Sequence, residues 1–177
     1  MAICKKVHLE TDYDFILSQD YDKHYGSCIK HQIYELQDIH NKFGGMPNTY
    51  TEANTQISQL WFEDGDLDFK DISKQLGIDI VTVSAIRLKP GNTIPLHRDT
   101  FYKIKTQFPD DERLKVRANI NMEAWKTGHV IQYNNKIITD WQQGDGHLWD
   151  SGIEHLGANC GMESKYSLQV SGFLLKN

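Results

Sequence analysis

Three side chains can do metal chemistry here. They are His97 and Asp99 in Ile94-Pro95-Leu96-His97-Arg98-Asp99-Thr100, and His155 in Gly152-Ile153-Glu154-His155. Residues two apart on an extended strand point to the same side, so His97 and Asp99 would aim an imidazole and a carboxylate into one space. A second imidazole from His155 completes a 2-His-1-carboxylate facial triad. That ligand set leaves adjacent coordination positions open, as non-heme Fe(II) oxygen chemistry requires. His-x-Asp by itself arises readily by chance, and a single His is as readily a packed or surface imidazole. His8, His24, His31 and His40 are read in that plainer way. The case rests on the joint pattern and on the elements that carry it.

Those elements change character at Ile78. Before it, Ile29, Ile33, Leu36 and Ile39 recur at helical spacing, with Ser27 as N-cap and Gly44 just past the end. Tyr13 to Leu17 suggests a shorter helix, and Phe69, Ile72 and Leu76 another, ended by Gly77. The polar stretch Asn41 to Gln56, with Gly44-Gly45 and Pro47, is a loop of the length at which lids occur. The first third is therefore expected as helical support on the outside of a sheet. The alternative is that this loop, with Trp61-Phe62, walls a substrate.

From Ile78 the period is two. Ile80 to Leu88 is a strand followed by a Pro90-Gly91 turn. In Arg113 to Met122, Leu114, Val116, Ala118, Ile120 and Met122 share one face; Arg113, Lys115, Arg117, Asn119 and Asn121 share the other. Short strands fit His129–Tyr133, Lys136–Thr139, His147–Trp149 and Lys165–Leu175. Turns are expected at Asn134-Asn135, Gly144-Asp145-Gly146 and Gly157 to Gly161. The expected fold is mainly β: a double-stranded β-helix of jelly-roll, cupin-like type with supporting N-terminal helices. Residues 1–177 make one domain, with 1–77 as support and 78–177 as catalytic core. In the last strand Lys165, Ser167 and Gln169 alternate with Tyr166, Leu168 and Val170. A lysine so placed is usually solvated; on a face pointing into a barrel, an ammonium beside a hydroxyl is a carboxylate receptor. Arg117 and Asn119 offer the same choice.

Composition narrows the classes. Apolar residues at 39% and charged residues at 24% describe a globular chain. A net charge of -5 argues against a nucleic-acid partner. Three scattered cysteines make neither a disulfide framework nor a CxxC metal site. No apolar run is long enough to span a membrane and no leader pattern opens the chain, so a reducing, cytoplasmic setting without membrane attachment is expected. No Ser/His/Asp or Cys/His nucleophile arrangement stands out.

Residues from about Val83 to Gly172 resemble the Fe(II)/2-oxoglutarate-dependent dioxygenases, and among them the aspartyl/asparaginyl β-hydroxylase group. The features run in order: Pro90-Gly91 before His97, Arg117-Ala118-Asn119, Gly128, Trp141-x-x-Gly144, and Trp149-Asp150-Ser151-Gly152-Ile153-Glu154-His155. A basic residue, Lys165, follows ten positions after His155, and Lys165-x-Ser167 resembles an Arg-x-Ser pair. The resemblance covers about half the chain and none of its helical third. It implies His97, Asp99 and His155 as iron ligands, and Lys165 and Ser167 on the far carboxylate of 2-oxoglutarate. It places Arg117 at a cosubstrate contact, and Asn119 where the group usually carries a histidine. Two departures stand out. Asp99 is present where the animal aspartyl β-hydroxylase lacks the carboxylate ligand, and Lys165 offers a point charge rather than a fork. The implied reaction uses Fe(II), 2-oxoglutarate and O2 to hydroxylate an unactivated C–H of an amino-acid side chain, free or in a peptide or protein, releasing succinate and CO2. Arg87, Arg98 or Lys103 could attract an acidic substrate. A metal-binding isomerase or epimerase, or a small-acid sensor, on the same fold is the alternative.

Overall fold

A computed structural model describes residues 2–31 and 39–175. Two antiparallel sheets face each other. The larger has the order β1-β9-β6-β11-β4-β3-β2 and the smaller β5-β10-β7-β8. The strands are β1 (Cys4–His8), β2 (Tyr25–Ser27), β3 (Gln56–Phe62), β4 (Ile78–Leu88), β5 (Thr93–His97), β6 (Lys115–Asn121), β7 (His129–Tyr133), β8 (Lys136–Ile138), β9 (Asp145–Asp150), β10 (His155–Asn159) and β11 (Lys165–Leu174). Among the described residues short helices accompany them: α1 (Tyr13–Leu17), α2 (Cys28–His31), α3 (Phe69–Leu76) and α4 (Tyr102–Gln107). The fold is a double-stranded β-helix, as expected. No helix among the described residues is long and apolar enough to cross a membrane.

The alternating strands of the larger sheet sort their residues in an informative way. Val116, Ala118 and Ile120 of β6, Leu168 and Val170 of β11, and Val83 and Ala85 of β4 form one buried cluster with Ile16, Ile72 and Leu76 of α1 and α3. The apolar face thus packs outward under the helices, and the polar face is left for the space between the sheets. α3 forms where predicted. Asp68 caps it by accepting from the Asp71 amide at 2.9 Å, and Gly77 ends it in the left-handed conformation at φ 68°.

Several expectations are corrected. Residues 1–77 are not only helical: they supply β1, β2 and β3 to the larger sheet. β1 is short, lysine-bearing and mostly exposed, the chemistry of an edge strand, and so shows no apolar alternation to read. Of the expected Ile29–Ile39 helix, α2 is present, while Ile33 and Leu36 lie outside the described residues. Ser27 ends β2 and immediately precedes α2, and its hydroxyl lies 3.0 Å from that of Thr55. Leu114 precedes β6 and is 42% exposed rather than part of its buried face. The turn expected from Gly157 begins later, since Gly157 to Asn159 continue β10. Gly157 instead marks an irregular register against β5, which is the other meaning of a glycine within a strand. Gly128 has φ 89°, and a Cβ there would collide with the backbone of Gly161, so the position needs glycine for close approach as well as for its turn.

Candidate metal and cosubstrate site

β5 and β10 are neighbours, and their register sets His97 directly opposite His155. The ring centroids are 4.2 Å apart. Asp99 follows two residues beyond His97, and one potential ligand atom from each of the three lies within 4.8 Å of the others. Both imidazoles are held in the same manner. His97 Nδ1 lies 2.8 Å from the Pro95 carbonyl and His155 Nδ1 3.1 Å from the Ile153 carbonyl, each two residues back. A ring whose Nδ1–H donates to a carbonyl keeps a lone pair on Nε2, the state required of a metal ligand. Burial drives the His155 pKa down to about 3. Its contact with Asp99 at 3.7 Å is therefore one between a neutral ring and a carboxylate, not an ion pair.

Asp99 is 1% exposed. Burial alone would push its carboxyl up, but the Arg117 guanidinium, with a Trp149 hydrogen bond, holds it below the ordinary range. Arg117 Nη1 contacts Oδ1, and the Trp149 indole N–H donates to Oδ2 at 2.7 Å. Arg117 also donates from Nε to the Ser171 hydroxyl at 2.9 Å. The guanidinium expected on the cosubstrate thus neutralises the acidic member of the cluster. Sequence reasoning missed Trp149 as its second partner, because an aromatic in a short strand reads as core; its position six residues before His155 was the available signal.

Lys165 and Ser167 lie on the inner face of β11, each 6% exposed. With Asn119, Tyr133, His97 and His155 they line one narrow cavity. No carboxylate pairs with Lys165 among the described residues; the Trp141 ring, 5.7 Å away, is its recorded partner. Burial lowers its pKa to about 8. Asn119 lies on the inner face of β6, on the same cavity. Its Oδ1 has no partner. A buried unpaired cation and an orphaned acceptor beside an acid/imidazole cluster are costly in a fold that needs only packing. The donor set of one carboxylate and two Nε2-free imidazoles fits a divalent first-row metal.

Of the three cations considered for an acidic substrate, Arg87 donates to Asp22 at 2.7 Å on the outer face and Arg98 to Glu154 at 2.5 Å. Lys103, on α4, lines a second and larger cavity.

No family model matches the chain, and no curated protein does. Among solved structures, a Pseudomonas putida prolyl-4-hydroxylase is similar over 99% of this chain and 93% of its own, with TM-score 0.53 and 17% identity. A non-heme α-ketoglutarate-dependent carbocyclase from nogalamycin biosynthesis is similar over 95% and 78%, with TM-score 0.54 and 10% identity. At these identities the likeness is one of fold: the double-stranded β-helix.

Proposed function

We propose that this chain is an Fe(II)- and 2-oxoglutarate-dependent dioxygenase that hydroxylates an unactivated C–H, in the manner of the aspartyl/asparaginyl β-hydroxylases. The observation that carries the reading is the His97/Asp99/His155 cluster with, on the same cavity, a buried Lys165 that meets no carboxylate among the described residues. A metal-binding module needs the first and has no use for the second. A dicarboxylate that chelates the metal with one end needs both.

In this reading His97, Asp99 and His155 hold the iron, which supplies O2 activation coupled to decarboxylation of 2-oxoglutarate. The chain's own residues bind, orient and exclude water. Lys165 and Ser167 receive the distal carboxylate, by charge and by hydroxyl donation. Trp149 fixes the orientation of the Asp99 carboxylate, and Arg117 compensates its charge. The cavity beside Lys165 has about 30 Å³ of room, so cosubstrate binding requires side chains to rearrange around it. The two small-molecule readings are separated by what turnover consumes. An isomerase or sensor would need neither O2 nor succinate release.

The test is an anaerobic titration of Fe(II) and 2-oxoglutarate into metal-free protein, read by the visible metal-to-ligand charge-transfer band. A band that needs both components and vanishes in His97→Ala supports the assignment. Iron binding without a band moves the isomerase or sensor reading ahead.

A further inference from the structure

The larger cavity, about 500 Å³, lies between β3, the middle of β4, β11 and α4, and reaches the Asp99 carboxylate through Arg117. It is large enough to take a small molecule. The chain carries 24 acidic residues, yet none of the side chains lining this cavity is a carboxylate. Lys103 lines it instead, with its ammonium 3.4 Å from the centre of the Trp61 ring. Trp61, Phe101 and Tyr102 supply aromatic wall, and Gln169, between the two cavities, supplies a polar one.

The backbone is distorted to make this arrangement. Phe101 is 3% exposed and stands in the left-handed region at φ 53° and ψ 38°, where a bulky residue is an outlier. It lies two residues after Asp99 and is the point from which α4 departs. The turn therefore couples the Asp99 position to that of Lys103. The Phe101 ring sits 5.7 Å from the Arg117 guanidinium, so the same residue supports the cation that neutralises Asp99.

We infer that this cavity takes the primary substrate, and that the substrate is a small free carboxylate with an aromatic or comparably flat apolar body. Lys103 meets the carboxylate, Trp61 and Phe101 cover the body, and the far end is presented past Arg117 to the metal cluster. The inference rests on the oxygenase reading and narrows it, from an amino-acid side chain in any context to a freestanding anion.

The test titrates metal-free wild-type protein with phenylacetate and with phenylacetamide, which share a body and differ in charge, and follows intrinsic tryptophan fluorescence. We expect the carboxylate to bind at least about tenfold more tightly, the difference a charge-assisted hydrogen bond confers. In Lys103→Ala the preference is lost, and in Lys103→Arg it returns. Equal binding of the two probes by the wild type overturns the inference, as does a preference that survives Lys103→Ala. Loss of the preference in Lys165→Ala also overturns it, by placing the anion in the smaller cavity. The charge-transfer band of the wild type is read in a separate sample. A band with no carboxylate preference counts against this inference alone, whereas no band counts against the oxygenase reading on which it rests.

Discussion

Replacing Lys165 by Met should make the metal-free protein more stable while removing its use for 2-oxoglutarate. The stem of Lys165 is already packed on the inner face of β11, and Met keeps its length without the charge. Burial lowers the ammonium pKa from 10.5 to about 8, and each pKa unit corresponds to about 1.4 kcal/mol. At pH 7 the charged form therefore costs the folded wild type about 3 kcal/mol. Between about pH 8 and 10.5 the unfolded chain holds the proton that the folded one has released, so wild-type stability rises with pH through that window. The advantage of Lys165→Met should accordingly shrink to roughly 1 kcal/mol at pH 10. The assay is urea denaturation of both proteins at pH 7 and pH 10, backed by thermal melts. A gain of about 3 kcal/mol corresponds to roughly 6–12 °C for a domain of this size. A variant no more stable than wild type at pH 7, or a gap that does not change with pH, refutes the reasoning. The ammonium would then be satisfied in the fold, and its claim to be kept for a ligand would lapse.

Arg117→Met leaves Asp99 buried without its cation and should cost about 3–5 kcal/mol in the metal-free protein. In the wild type the Asp99 contribution is present above the ordinary carboxylate range and lost as pH falls through its lowered folded value. In the variant burial dominates and raises that value, so stability should instead fall as pH rises from 5 to 7; denaturation midpoints across that range that parallel wild type would sink the claim. Trp149→Phe removes the indole donor to Asp99 and should weaken metal affinity by about 10–100-fold, measured by competition with a chromophoric chelator. Unchanged affinity would make Trp149 a packing residue only. His97→Ala and Asp99→Ala should each abolish succinate release, and a variant with wild-type release would remove that residue from the site.

Several features of the chain were legible because they depend on short-range rules. The 2.0 period of Arg117-Ala118-Asn119 and of Lys165 to Val170 follows from alternating Cβ directions, so which residues share a face could be read directly. Phe69, Ile72, Leu76 and Gly77 announced α3 through periodicity and a terminal glycine, and both are local. The candidates His97, Asp99 and His155 were visible from residue type and the two-residue spacing within Leu96-His97-Arg98-Asp99. Which way a face points is another matter. Arg117, Asn119, Lys165 and Ser167 could have met solvent, and only the packing of Val116, Ala118, Leu168 and Val170 under α1 and α3 turned them into the space between the sheets. That choice is made by burial of apolar area over the whole domain, which no window of sequence contains. The pairing of His97 with His155 likewise depends on β5 and β10 becoming neighbours, and the engagement of Arg117 with Asp99 rather than with a ligand on β6 lying within reach of the β5 end. Sequence named the groups able to hold a metal and a carboxylate. Tertiary structure alone decided that they face one another, that the cation of Arg117 is already committed to Asp99, and that the cation of Lys165 is not committed to any carboxylate of the described chain.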